Sequence, residues 1–309
     1  MAIRVANAPC SWGVIEGRGQ GAPYDQMLDE LVETGYQGTE LGDYGYMPTD
    51  AKQLGEELTR RNLTMLGAFE AVELRRPDAV KNMRERIVAI AGLLAGVAHI
   101  GDPGWQPFFI LSDDNGRDPV RAHHAGRIRP DQGLAEDEWK LFARNATSVA
   151  ELVAGETGID TVFHHHCAGF VETPDEIARL LEETDNAALG LVFDTGHYVY
   201  GTGTGDTGAA ALGGLTRFFE RVRYVHFKDC HHELAGRARA EGWDYTEAVR
   251  RGIFCELGEG SVDFAAVLTF LTEQGYQGWI TVEQDVLPGM GTPRESARRN
   301  REYLRSLGV

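Results

Sequence analysis

Hydrophobic and polar positions along the chain alternate between two periods. Short β-branched or apolar runs lie at Ile3 to Ala8, Gly38 to Leu41, Thr64 to Phe69, Phe108 to Ser112, Asp160 to His164, Leu189 to Phe193, Arg223 to Phe227 and Trp279 to Glu283. Between them, Tyr24 to Thr34, Asp50 to Arg61, Asp78 to Leu94, Glu136 to Glu156 and Pro174 to Glu183 space apolar residues three and four apart. Val262 to Gln274 and Pro293 to Leu304 do the same near the end. That spacing is what a helix with one face on a sheet requires. Eight strands separated by helices imply parallel pairing, because a parallel connection needs a crossover. The prediction is one (β/α)8 TIM barrel spanning residues 1–309, rather than an open doubly wound sheet. No G-x-G-x-x-G follows the first strand, where "NAPCSWG" stands instead, so a dinucleotide-binding fold is disfavoured. Asp50 and Asp175, each before a helical run, read as helix caps. The Gly-rich stretch Tyr200 to Gly208 reads as a loop over the barrel mouth, and His123-His124 and His231-His232 as loop residues.

In such barrels the working residues sit at the C-terminal strand ends. The fifth strand ends in His164-His165-His166, the sixth in Asp194 followed by Thr195-Gly196-His197, the seventh in His226-Phe227-Lys228-Asp229, and the eighth in Glu283-Gln284-Asp285. The second gives Glu40 and the third Glu70. Side chains alternate along a strand, so His164 and His166 share one face, with His165 on the other, and His226 shares a face with Lys228. Interiors of these barrels are ordinarily filled by Val, Ile and Leu. Burying several ionisable groups there without partners costs several kcal/mol each. A divalent cation would neutralise the carboxylates and occupy the imidazole lone pairs. Mixed nitrogen and oxygen ligands without thiolate suit Mn²⁺, Co²⁺, Zn²⁺ or Fe²⁺ better than Ca²⁺. Trp12, Trp105 and Trp243 are either core or an apolar wall for a sugar face.

Composition narrows the partners. The net charge of -17 argues against nucleic acid, which is bound through clustered Lys and Arg, and would repel an anionic membrane. A neutral sugar or cyclitol is compatible with it. The shares of 42% hydrophobic and 25% charged residues are those of a globular protein. Cys10, Cys167, Cys230 and Cys255 are widely spaced with no CxxC, which speaks against thiolate zinc and a disulfide framework. No signal-length apolar run opens the chain and none of about 18 residues follows, so the expected location is cytoplasmic.

The motifs "NAPCSWGV", "GTELG", "FHHHCAGFVET", "VFDTGH", "VHFKD" and "VEQD" resemble the xylose-isomerase-like barrel superfamily, which includes sugar epimerases, endonuclease IV and inositol-pathway enzymes. The stretch "EGWDYTEAVRRGIFCELGEGSVDF" is similar to the inosose (2-keto-myo-inositol) dehydratases in particular. The resemblance implies a single metal, with Mn or Co favoured, held by a Glu, an Asp, a His and a Glu from strands five to eight. That pattern maps onto Asp194, His226 and Glu283, with His164 where the superfamily has Glu; His166 or Glu172 could serve there through a shift of register. The His triplet is shared with the dehydratases. The implied reaction is removal of water from a keto-polyol through an enediolate, or, alternatively, ketose or keto-inositol epimerisation or isomerisation. A barrel that binds polyol or metal without turnover is a third reading. Within the enzymatic readings Lys228, Glu283, His166 and Glu70 are the expected catalytic residues. Trp12, Glu40, His197 and Asp229 are the expected substrate contacts. Barrels of this superfamily often pair, so a homo-oligomer is an open expectation.

Overall fold

The computed structural model describes residues 3–14, 21–204, 208–286 and 291–309. Its barrel strands are β1 (Arg4–Asn7), β2 (Gly38–Thr39), β3 (Thr64–Met65, resuming as Gly67–Ala71), β4 (Phe108–Ser112), β5 (Thr161–His164), β6 (Leu189–Asp194), β7 (Val222–Phe227) and β8 (Trp279–Val282). All pair in parallel, and β8 returns to β1 through Arg4 opposite Trp279. The interruption of β3 at Leu66 does not open the sheet. The Leu66 N–H donates to the Thr39 carbonyl, and its own carbonyl accepts from the Phe108 N–H, so the ladder passes from β2 to β4 through that residue. Gly67 beside it has no room for a side chain, since a Cβ would come 2.7 Å from the Phe108 carbonyl oxygen.

Helices α1 (Tyr24–Thr34), α2 (Ala51–Arg61), α3 (Ala79–Val97), α4 (Glu136–Thr157), α5 (Pro174–Glu183), α6 (Ala210–Phe218), α7 (Phe264–Glu273) and α8 (Pro293–Ser306) form the outer layer. Each turns a leucine-, valine- or alanine-bearing face onto the strands, as α1 does with Met27, Leu28 and Leu31. Asp50 caps α2 by accepting from the Gln53 N–H. Asp175 does not cap α5: Thr173 does, in a reciprocal box with Glu176, because Pro174 occupies the first helical position and puts Asp175 inside the first turn. The run from Val262 becomes helical only at Phe264, since Asp263 is the cap.

Alternation along the strands sorts the barrel interior from the helix layer. On β5, Val162 and His164 point inward, while Phe163 meets Phe142 of α4. On β7, Tyr224 and His226 point inward, while Phe227 packs on Phe264 of α7. The lower interior is closed by rings, with Trp105 against Phe108 and Trp279. Above them lie Ala6, Leu66, Ile110, Val162 and Val192. Trp105 is thus a plug at the N-terminal end and far from the mouth.

Short helices at the mouth are Pro119–His124, Thr195–Gly201, His232–Glu241 and Tyr245–Arg250. His123 and His124 therefore end a helix, and His232 begins one, where loop was expected. Tyr200 and Gly201 close the helix after β6, and residues 205–207 of the Gly-rich stretch lie outside the described residues. Among the described residues no helix is long and apolar enough to cross a membrane.

Arg121 joins the mouth to the outer layer. Fully buried, it donates to both carboxylate oxygens of Glu176 and, through Nε, to the Gly169 carbonyl just after the His triplet. Arg121→Met should leave Glu176 without its cation and cost about 3–5 kcal/mol. Urea unfolding monitored by circular dichroism would read that loss as a lower midpoint.

Candidate metal centre and substrate pocket

At the tops of β5 to β8 four side chains converge. One ligand atom from each of His164, Asp194, His226 and Glu283 lies within 4.8 Å of all the others. The strand ends that carry them are neighbours in the sheet, with Asp194 directly opposite His226 and His164 opposite Val192. His226 Nδ1 is 3.0 Å from Glu283 and 4.0 Å from Asp194, whose other neighbour is His164 Nε2 at 3.7 Å. Both nitrogens of His164, Asp194 Oδ2 and His226 Nδ1 are buried with no hydrogen-bond partner. One such atom from each of His164, Asp194 and His226, together with a Glu283 oxygen, gives the donor set a cation site needs, and an unpaired buried atom would otherwise carry an unrepaid desolvation penalty.

The surroundings orient these groups. Asp194 Oδ1 accepts from the His197 N–H, turning Oδ2 inward. Glu40 on β2's end accepts from His226 Nε2 at 2.8 Å and from the Tyr224 hydroxyl at 2.9 Å. The carboxylate thereby holds the ring with Nδ1 toward the cluster, the arrangement that prepares a histidine for a metal. Burial works against a charged His226, but Glu40 and Glu283 outweigh it and raise its pKa well above the usual range. Burial likewise works against ionised Glu283, yet His226 and Lys228 hold it well below the carboxylate range. Asp194 is also lowered, because His164 beside it outweighs burial. A divalent cation would take the place of the proton on His226 Nδ1.

Above the cluster opens a pocket. Its polar lining includes Lys228, His166, His197, Asp285, Asn115 and Arg117, and its apolar lining Phe69, Pro9, Val14 and Val249. Lys228 Nζ lies 3.1 Å from Asp285 and 3.5 Å from Glu283, over the ring of Phe254. Burial opposes its charge, but the two carboxylates prevail and raise its pKa well above the usual value. His165 faces away from the pocket, between Phe193 and Tyr198, and accepts the Asp194 N–H.

Three expected site residues lie elsewhere. Glu70 points to the helix side of β3 and pairs with Arg86 of α3 at 2.6 Å; the break at Leu66 leaves Phe69 facing the pocket instead. Trp12 is buried with its indole N–H on Glu30 of α1, so it is core. Asp229 spends its carboxylate on four backbone N–H groups, those of Cys230, Gly258, Gly260 and Val262. It closes the base of the excursion between β7 and α7, which carries Tyr245 and Val249 to the pocket. Trp243, stacked by Arg237 and Arg251, belongs to that excursion's own packing. Glu172 lies away from the cluster, its carboxylate accepting from the Gly126 and Ala168 N–H groups. Asp285 was legible by alternation, being two residues beyond Glu283. Asn115 and Arg117 sit on a loop, where no period applies, and Tyr245 opens a short helix without a clear apolar stripe.

The xylose isomerase-like TIM-barrel family model matches residues 28–307. An inosose dehydratase of Geobacillus kaustophilus is 32% identical over 315 residues, covering 99% of this chain and 94% of that protein. Among solved structures, a probable 3-DHS dehydratase, AsbF, of Bacillus anthracis superposes with TM-score 0.69 at 12% identity, covering 98% of this chain and 99% of that one. The IolI protein with a bound zinc atom gives TM-score 0.63 at 14% identity, covering 99% and 98%. At those identities the two structures speak for the fold alone.

Two outcomes follow. Asp194→Asn removes a ligand charge and should lower bound metal, read by elemental analysis of the dialysed protein, from about one ion per chain to a small fraction, a loss of at least tenfold. Glu172 is the second case. Burial pushes its carboxyl up from 4.5 to about 7, so the folded protein favours the protonated form. Its contribution to stability is full below the unfolded value and is lost as pH rises through the folded one. Glu172→Gln should flatten the decline of Tm between about pH 5 and pH 8.

Proposed function

This chain belongs to the xylose isomerase-like TIM-barrel family, and on that premise we propose that it is a divalent-metal-dependent lyase that removes water from a keto-polyol such as 2-keto-myo-inositol. The observation that carries the reading is the buried group His164, Asp194, His226 and Glu283, with its unpartnered atoms, directly beneath a pocket bearing a buried ammonium. The Geobacillus relative, matched nearly end to end, supports the dehydratase over the epimerase.

Those four side chains would hold the ion, whose chemistry is that of a Lewis acid toward a ketone and its neighbouring hydroxyl. The residues of the chain supply the rest. Elimination breaks the C–H bond next to the ketone; its electron pair moves onto the ketone oxygen and then forms the new C=C bond as the β-hydroxyl departs. The proton removed and the hydroxyl expelled leave together as one water. His166, in the pocket lining, is the proton acceptor in this reading. Lys228, held as an ammonium by Asp285 and Glu283, faces the oxygen on which negative charge develops. Glu40 acts through His226 as a positioning residue rather than on substrate. Phe69, Val14 and Val249 exclude water from one side of the pocket, which strengthens each of these interactions.

An epimerase would remove the same proton and return it to carbon. Incubating the Mn²⁺- or Co²⁺-loaded protein with 2-keto-myo-inositol separates the two. Ultraviolet absorbance of a conjugated hydroxy-enone, the enol tautomer of a 1,2-diketone, should grow with time, stop growing on chelation and resume when metal is restored. A change in optical rotation without that absorbance would establish epimerisation instead. Lys228→Met should retain the metal yet lower kcat by about 100-fold or more.

A further inference from the structure

His166 and His197 are in contact in the pocket lining, their ring centroids 3.8 Å apart and their planes inclined by 38°. Both are tied to the same residue, from opposite directions. His166 Nδ1 lies 2.6 Å from the Cys167 carbonyl oxygen. A carbonyl can only accept, so this nitrogen carries hydrogen. His197 Nδ1 lies 3.4 Å from the Cys167 backbone nitrogen, whose N–H can only donate, so this nitrogen is bare. Hydrogen on one Nδ1 and a lone pair on the other leave the two Nε2 atoms with opposite characters in neutral rings.

The turn that carries Cys167 is over-determined. The Cys167 thiol donates to the His197 carbonyl at 3.3 Å. Ala168 holds φ at 66°, left-handed for a residue with a side chain, and its N–H donates to Glu172 at 2.7 Å. The Phe170 N–H donates to Asp113, and Gly169 accepts from Arg121. Four contacts, with His197, Glu172, Asp113 and Arg121, thus hold one strained turn, and within it the Cys167 carbonyl and N–H meet the two imidazoles. Strain of this kind persists where the surroundings enforce it.

We infer that Cys167 locks His166 and His197 in opposite tautomers, so that the pocket presents His166 Nε2 as a hydrogen-bond and proton acceptor and His197 Nε2–H as a donor to a substrate oxygen. The tautomers stand on the geometry of the turn alone; their use on a keto-polyol rests on the function proposed above. The pair would read an edge with one atom that gives up hydrogen and a neighbouring oxygen that only accepts, as beside a ketone. In the reverse tautomer His166 would turn an N–H toward the hydrogen to be removed, and His197 a lone pair toward an oxygen that only accepts.

The test is a long-range proton–nitrogen correlation spectrum of ¹⁵N-histidine-labelled protein at neutral pH. It is recorded with diamagnetic Zn²⁺ bound and again after chelation, with assignments from His166→Gln and His197→Gln. His166 should show hydrogen on Nδ1 and a bare Nε2, and His197 the reverse, in both states. The same tautomer at both residues, or a doubly protonated ring at either, overturns the inference. A second arm uses turnover of 2-keto-myo-inositol. His197→Gln, which keeps a donor, should stay within about tenfold of the parent, whereas His197→Glu and His166→Gln should each lose about 100-fold or more. Equal losses from both His197 substitutions also count against it. A parent protein without turnover would sink the proposed reaction, while the spectrum still decides the tautomers.

Discussion

Everything at the mouth of this barrel answers to the cost of burying charge. Asp194, His164, His226, Glu283, Lys228 and Glu40 are all withdrawn from water. Ionised groups in such a place survive only when opposite charges or hydrogen bonds replace the lost solvent. Among the protein atoms the replacement is incomplete, and the shortfall is concentrated on one point between β5 and β8. The four side chains gathered there could hold a divalent cation, which would neutralise the carboxylates. The fold exists around this deficit: the aromatic floor and the aliphatic middle of the barrel make the dry, rigid collar that keeps four strand ends in register.

The floor and the helix layer were legible because strict periods govern them. Phe108–Ser112, Tyr24–Thr34 and Pro174–Glu183 coincide with the runs read from the sequence. The same period of two placed His164, His166, His226 and Lys228 on inward faces. It failed for Glu70 because β3 breaks at Leu66, an irregularity without a local sequence mark other than Gly67. Trp12 and Asp229 show another limit. Both stand beside strand ends and bear suitable chemistry, yet hydrogen bonds to Glu30 and to four backbone amides decide their roles, and all of those partners but Cys230 are distant in sequence. The helices Thr195–Gly201, His232–Glu241 and Tyr245–Arg250 escaped notice because tertiary packing, rather than a clear apolar stripe, sustains them.

Sequence and structure also differ in what they say about hierarchy. From the strand ends alone, Glu40 and the metal-ligating candidates looked like equals. The geometry ranks them: Glu40 grips a nitrogen of His226, Asp194 grips the His197 N–H, and Cys167 grips both His166 and His197. Each group at the site is thus held in a defined orientation by a neighbour. Such support matters, because a site displaced by about 1 Å loses much of its advantage.

The single carboxylate of Asp229 also shapes how this rim can evolve. By gathering the amides of Cys230, Gly258, Gly260 and Val262, it pinches the two ends of a long surface excursion together at the rim. Loop-closure entropy depends chiefly on bringing the ends together and only weakly on what lies between. The intervening segment can therefore lengthen, shorten or change its side chains with little effect on the barrel beneath. Tyr245 and Val249 ride on that segment, so one wall of the pocket is free to diversify while the inward-facing strand ends stay fixed. A clasp of this sort lets one scaffold explore new substrates without relearning how to fold.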